Sequence, residues 1–236
     1  MHTVLTALLN SSNEIIKTAE PLLPQLNDDA EWVIKNSELK TSAELLKISK
    51  HPCVRVIYQA DDSLYDGLNQ GLEYCTGEYV QIVGAGDEFR PGAIEFIQNL
   101  ERNSSQLDSI FLGVHQKRNG RAILPNPVDL KNRMACPHPG AILKLEKIKE
   151  LKGFDVNYLI ASDYDLICRY IQKNPKTSYS KEIVVDYEGG GLSEQRAVEG
   201  FLEEELIRIR VWKQNQVDTV LNSFRFFNWA KSTLGV

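Results

Sequence analysis

In the run YVQIVGAGDEF, from Tyr79 to Phe89, an apolar segment passes small residues and ends on two carboxylates, Asp87 and Glu88. A buried strand that delivers an acid to its C-terminal end, with glycines clearing space beside it, is how an α/β sheet presents a metal or phosphate site. A hard divalent cation held by one or two carboxylates can bridge phosphates and neutralise their charge. Asp87 is therefore the candidate ligand for Mn²⁺ or Mg²⁺. The plainer alternative is a capping Asp ahead of Pro91; Glu88 reads as a water-mediated partner or as a solvated strand-end residue.

Other residues carry weaker signals of the same kind. Asp163 and Asp165 fall in the first turn of a predicted helix, where acids are favoured and where capping alone would explain them. Tyr65 and Asn69 are four apart and share a helical face, so both can look into one cleft or both can join helix to sheet. Gly189, Gly190 and Gly191 form a turn or a flexible lid.

These residues need a scaffold, and the first hundred positions have the pattern of a parallel sheet covered by helices on both faces. Strands are expected at Val4–Leu9, Trp32–Ile34 and Val54–Tyr58. Helices are expected through Ile15, Ile16 and Ala19, over Ser42–Ile48 and over Ser63–Cys75. Asn10, Ser11 and Ser12 offer cap oxygens to the first helix, and Pro21 or Pro24 should kink or end it. Pro91 opens a further helix through Ile94, Ile97 and Leu100. The second half predicts strands at Ser109–Val114 and Arg121–Leu124 joined by a polar turn, then a loop rich in Pro and Asn from Pro125 to Pro139. Helices over Leu145–Leu151 and Asp163–Gln172 and a strand at Ile183–Tyr187 complete the pattern. One α/β domain over residues 1–205 is expected, with a helical extension over 206–236.

The formal net charge of -5 and a pI near 5.5 argue against nucleic acid as a partner held by a general basic field. Cys53, Cys75, Cys136 and Cys168 are spread without zinc-ligand spacing and read as reduced thiols, which points to the cytoplasm. The N-terminus lacks the features of a signal peptide, and no run approaches the roughly 18 apolar residues of a membrane span.

Three segments, in order, resemble the bacterial inverting glycosyltransferases of family 2, whose nucleotide-sugar-binding domain is of the GT-A class. The first is DDSLYDGLNQGLEYCTGEYVQIVGAGDEF, Asp61 to Phe89; the second is GFDVNYLIASDYDLICRY, Gly153 to Tyr170; the third is EGGGLSEQR, Glu188 to Arg196. The resemblance implies a GT-A, Rossmann-like fold with a mixed, mostly parallel sheet. Residues 1–100 become the nucleotide-sugar half and 101–205 the acceptor half. It also implies a nucleoside-diphosphate sugar donor, a glycan or lipid-linked acceptor, and a divalent metal at Asp87. Asp163 takes the place of the base that removes the acceptor proton. His138 and Asp165 fall on the acceptor side, and Asn36, Asp61, Tyr65, Asn69, Gly86 and Asp87 on the donor side.

Two departures bear on activity. Asn36, in VIKNSELKTS, stands where the family has a base-contacting Asp, and an amide presents donors as well as an acceptor. Gly86 stands at the first acidic position of the family's D-x-D, which leaves Asp87 alone. Both favour a rival reading, a degenerate member that binds a sugar nucleotide or a partner enzyme without catalysis. A sugar nucleotidyltransferase is a second rival, although ALLNSSNEIIK lacks the Gly-rich, basic phosphate loop such enzymes usually show near the first strand.

From Leu206 to Val236 the chain carries Arg208, Arg210, Lys213, Arg225 and Lys231 against one acid, Asp218, among Trp212, Phe224, Phe226, Phe227 and Trp229. Cations and aromatics on amphipathic helices suit the headgroups of an anionic inner membrane. Packing on the catalytic domain or on a second copy in a homo-oligomer is the alternative. The expected role is transfer of a sugar in polysaccharide, capsule or glycolipid assembly.

Overall fold

The structure is a computed structural model describing residues 1–9, 13–103 and 106–213. Strands β1 (His2–Leu8), β2 (Ala30–Asn36), β3 (Val54–Tyr58) and β4 (Tyr79–Ile82) are parallel and lie in the order β3-β2-β1-β4. Helices α1 (Ile15–Leu22), α2 (Ala43–Ile48) and α3 (Leu64–Leu72) make the crossovers. Ser42 and Ser63 cap α2 and α3 by accepting the N–H groups of Leu45 and Asp66. Pro21 lies inside α1, which passes into a 3-10 turn at Leu23–Gln25 and stops there. The expected caps Asn10, Ser11 and Ser12 lie outside the described residues.

The strand leading to Asp87 is shorter than the apolar run. It ends at Ile82, turns through Gly84–Asp87, and resumes as β5 (Glu88–Phe89), which pairs with the last strand of the sheet instead of with β1. Helix α4 (Ala93–Asn103), strands β6 (Ser109–Gln116) and β7 (Arg121–Ile123), and helix α5 (Leu145–Glu150) follow the expected pattern. So does α6 (Ser162–Ile171), whereas β9 (Thr177–Tyr187) begins earlier than the apolar residues indicate.

One central strand is not visible in the sequence pattern. β8 (Ala141–Lys144) lies antiparallel between β4 and β6. Its four residues follow Pro139–Gly140 and run straight into α5, so there is too little length to show a period.

Both faces of the sheet are covered, which is why its strands are apolar rather than alternating. One core packs Ile15, Leu22, Trp32, Ile94 and Ile97; the other packs Leu68, Phe154, Tyr164 and Leu166. After the short α7 (Leu192–Gln195), helix α8 (Ala197–Trp212) runs unbroken past residue 205 and lies on α6, where the Trp212 Nε1–H donates to Cys168 Sγ at 3.3 Å. Arg208 is 1% exposed and paired with Glu204 and Glu205, and Arg210 is paired with Asp155 and Asp165. These two charges hold the helix down and are not free for lipid headgroups. Phe224, Arg225, Phe226, Phe227, Trp229 and Lys231 lie outside the described residues. Among the described residues no helix is long and apolar enough to cross a membrane.

The antiparallel entry into β8 is tight. A Cβ on Gly140 would come within 2.2 Å of the Leu112 carbonyl oxygen, a backbone atom that cannot step aside cheaply. Gly140→Ala is expected to cost about 2–3 kcal/mol, the upper range for overpacking, read as a melting point lowered by roughly 5 °C or more in calorimetry.

Candidate active site

The Gly84–Asp87 turn is built around its own carboxylate. Asp87 Oδ2 accepts the Gly84 N–H at 2.8 Å, and a Cβ on Gly84 would lie 3.2 Å from that oxygen. Gly86 has φ +97°, a conformation side chains rarely adopt. Thr18, buried on α1, grips the turn by accepting the Gly86 N–H at 2.9 Å. Burial pushes the Asp87 carboxyl up to about 6, against the opposing charge of His138 and the Gly84 hydrogen bond.

His138 reaches the same place from the turn at His138–Gly140 that precedes β8. A buried polar chain anchors this turn. Gln81, an amide within an apolar strand, donates to the Pro139 carbonyl at 2.6 Å. Its oxygen then faces His2 Nε2 at 3.2 Å, and His2 Nδ1 meets Glu101 at 2.7 Å. A carbonyl only accepts, so Gln81 must present its oxygen to His2, and His2 Nε2 must donate. Gln81 was legible as a polar residue in YVQIV, but nothing in the sequence connected it to Pro139.

Asp163, in the first turn of α6, lies against His138, with Oδ2 at 3.2 Å from Nδ1. Burial opposes the imidazolium of His138, yet the hydrogen bond and charge of Asp163, with the charge of Asp87, raise its pKa. His138 thus feels both aspartates. Asp163 Oδ1 accepts the Tyr164 N–H at 2.8 Å and is 3.4 Å from the Tyr65 hydroxyl. That hydroxyl has one proton and gives it to the Ile160 carbonyl at 2.7 Å. The Tyr65 ring stacks on Phe154 with centroids 5.4 Å apart, and burial first, then the charge of Asp163, holds its phenol protonated well above its ordinary range.

Gly84, Tyr65, His138 and Asp163 line one cavity of about 100 Å³, which is floored by Leu68, Ile148 and Ile167. It opens beyond the C-terminal ends of the parallel strands β1 and β4, the usual place for a ligand in such a sheet.

The remaining sequence candidates are engaged elsewhere. Asn36 ends β2 and donates to the Glu38 carbonyl at 2.9 Å, closing its own loop. Asp61 is paired with Lys35, both nearly inaccessible. Asn69 joins α3 to the strandless run after α5, donating to the Phe154 carbonyl at 2.9 Å and accepting its N–H at 2.8 Å. Glu88 is paired with Lys117 at 2.5 Å. Asp165, placed on the acceptor side by the resemblance, is fully buried between Arg169, at 2.6 Å, and Arg210, at 2.5 Å, and does not face the cavity.

Among the described residues no three His, Cys, Asp or Glu side chains form a metal cluster. Asp87 nevertheless fits a cation. Its Oδ1 takes no hydrogen bond among the described residues, and its raised pKa marks a carboxylate short of positive charge. A cation drawing most of its ligands from a diphosphate needs only one such oxygen.

No protein-family model matches the chain. An Escherichia coli K12 protein, the uncharacterized glycosyltransferase YibD, is 30% identical over 101 residues, covering 42% of this chain and 29% of YibD. The match therefore spans less than a third of that relative. Staphylococcal TarS, from S. aureus, solved as residues 1–349, aligns with a TM-score of 0.66 at 14% identity over 98% of this chain and 72% of that one. The same fragment is known with UDP and with UDP-GlcNAc. The mannosyltransferase PcManGT of Pyrobaculum calidifontis, in complex with GDP-Man and Mn²⁺, aligns with a TM-score of 0.63 at 17% identity over 86% of this chain and 63% of that one. The chain has the GT-A fold.

Two measurements check the electrostatics of the site. Folding raises the Asp87 pKa from 3.8 to about 6, so the folded state binds more protons than the unfolded state in that window. Its contribution to stability therefore falls as pH rises through it. Asp87→Asn is expected to raise stability at pH 7.5 by about 1–3 kcal/mol, with the gain vanishing near pH 4, in melting curves taken with a chelator present. Asp165→Ala should cost about 1–3 kcal/mol by removing the buried carboxylate that two partly exposed guanidinium groups share; Asp163→Asn should change denaturant stability by less than about 1 kcal/mol.

Proposed function

We propose that this chain is an inverting glycosyltransferase that moves a sugar from a nucleoside diphosphate to a hydroxyl of a glycan or lipid-linked acceptor. The observation that carries the reading is that Gly84, His138 and Asp163 line one cavity, with Asp163 against His138 and Asp87 in the turn that Gly84 opens, near enough for its charge to act on His138. The GT-A fold and the nucleotide sugars bound by TarS and PcManGT support the same donor class.

Inversion requires the acceptor oxygen to attack the anomeric carbon from the face opposite the leaving diphosphate. Asp163 Oδ2 takes the hydroxyl proton as the new C–O bond forms, and the bond to the diphosphate breaks with its electron pair on the phosphate oxygen. His138, donating from Nδ1, fixes the direction of that carboxylate. Tyr65 and Phe154 wall the cavity with apolar surface and limit water near the reacting carbon. Asp87 Oδ1 would hold Mn²⁺ or Mg²⁺, which when bound neutralises charge developing on the diphosphate. Transfer in polysaccharide or glycolipid assembly, in the cytoplasm or at the inner membrane surface, belongs to this reading.

A second reading, nucleotide-sugar binding without turnover, draws on the two donor-side groups that are spent internally, Asn36 on its own loop and Asp61 on Lys35. A panel of UDP- and GDP-sugars assayed for transfer and hydrolysis, with and without Mn²⁺, separates the two. With the donor identified, Asp163→Asn is expected to bind it as before and to lose roughly two to four orders of magnitude in turnover. An Asp163→Asn protein of undiminished turnover would remove Asp163 from the role of base.

A further inference from the structure

The carboxylate of Glu203, on α8, lies against three consecutive backbone N–H groups. Leu159 donates to Oε1, and Ile160 and Ala161 donate to Oε2, each at 2.8 Å. These amides lead into α6, whose N-cap, Ala161, has no side chain able to accept. The N-cap amide of Ala161 and the two amides before it are met from a different helix, with a negative charge where the α6 dipole favours one.

The same peptide run is held from its other side, where Tyr65 donates to the Ile160 carbonyl at 2.7 Å. Gly200, one turn before Glu203, completes the fit, since a Cβ there would lie 3.0 Å from Ile160 Cγ2. A side chain there would press Ile160 back by a few tenths of an ångström. Asp163 follows two residues after Ala161, with Oδ1 occupied by the Tyr164 N–H and Oδ2 turned toward His138.

We propose that Glu203 is a positioning residue for Asp163: by holding the amides of Leu159–Ala161 it fixes the first turn of α6 and the direction in which Asp163 presents Oδ2, the oxygen beside His138. The proposal rests on the reading of Asp163 as base. Three charge-assisted hydrogen bonds from one carboxylate make a stiff anchor. A glutamine cannot replace it, because its amide nitrogen would meet N–H groups with N–H groups. Without the anchor, the Leu159–Ala161 amides lose their acceptor and the start of α6 is held by Tyr65 on the Ile160 carbonyl and Ser162 on the Asp155 carbonyl; a drift of about 1 Å at a reacting group costs on the order of a hundredfold in rate.

The test uses the full chain carrying Glu203→Gln, with amide hydrogen exchange and steady-state kinetics on the donor identified by the panel. Exchange at Leu159, Ile160 and Ala161 is expected to accelerate at least about tenfold. Turnover should fall about 10- to 100-fold while the donor KM and the affinity for the nucleoside diphosphate stay within about twofold. Gly200→Ala keeps the carboxylate but presses on Ile160, and should show the same split to a smaller degree; it decides the matter if Glu203→Gln does not fold. Glu199→Gln, which removes only an exposed partner of Arg196, should match the parent protein. Unchanged exchange, faster exchange with unchanged kcat, or a raised KM with kcat intact would overturn the proposal. A parent chain that turns over no nucleotide sugar sinks the reading of Asp163 and this proposal with it. The exchange data, which need no substrate, tell that outcome apart from a failure of the clamp.

Discussion

The antiparallel pairing of β8 with β4 is the constraint on which the site depends. Its register sets Gln81 opposite Ile142 and Tyr79 opposite Lys144, so β8 begins where β4 ends. The turn that precedes β8 must then lie beside the turn that follows β4. His138 is carried toward the Gly84–Asp87 turn by sheet geometry, not by any attraction between side chains. Gln81 adds a hydrogen bond to Pro139 from inside the sheet, and the Gly140 backbone packs on β6 so closely that no side chain fits. A mobile loop bearing His138 would lose this precision, whereas a turn pinned on two strands keeps it.

Environment then sorts the acidic residues by what they can do. Asp61 and Asp165 are buried opposite cations, and such pairs hold elements together because removing either partner strands a charge. Asp87 is half-buried on the Gly84 amide and within reach of the charge of His138, without a guanidinium or ammonium partner among the described residues, so it retains the capacity to take a proton or a cation. Asp163 has one oxygen spent on its helix and the other against His138, in the lining of the cavity. The sequence sets Asp163 and Asp165 two residues apart at one helix start, Asp163 as the base and Asp165 on another face as structural or acceptor-side support. Their partners separate them, because a two-residue step in a helix turns one side chain inward to the arginines and leaves the other at the end of the axis.

Much of the N-terminal half was legible because its elements are long enough to show a period and are bounded by Ser42, Ser63, Gly77 and Pro91. Caps and glycines mark ends, and the apolar stripe on α3 marks a face. β8 escaped because a four-residue buried strand between a Pro-Gly turn and a helix has no period of its own. A joining role for Asn69 was one of its two readings, but its partner escaped for another reason: an amide that bridges two peptide groups 85 residues away looks, in sequence, like any polar residue on a helix face. Glu203 was equally silent. It stands among Glu204 and Glu205, and only the meeting of α8 with the start of α6 distinguishes it from a solvated acid.

The glycine at position 86 looks from sequence like the loss of a carboxylate, and the backbone gives a different account. With φ at +97° and its amide donated to Thr18, residue 86 occupies a conformation in which any L side chain is strained even though the surrounding space is open. An aspartate there would have to unwind the turn that folds the Gly84 N–H onto Asp87. The second acid and this turn are alternatives: the chain either spreads two carboxylates along an extended segment or closes one carboxylate into a tight loop. This chain has the closed loop, so among the described residues Asp87 would hold a cation without a second carboxylate, leaving the rest of its oxygens to the accompanying ligand and water. Metal and diphosphate would then bind together, each weakly without the other.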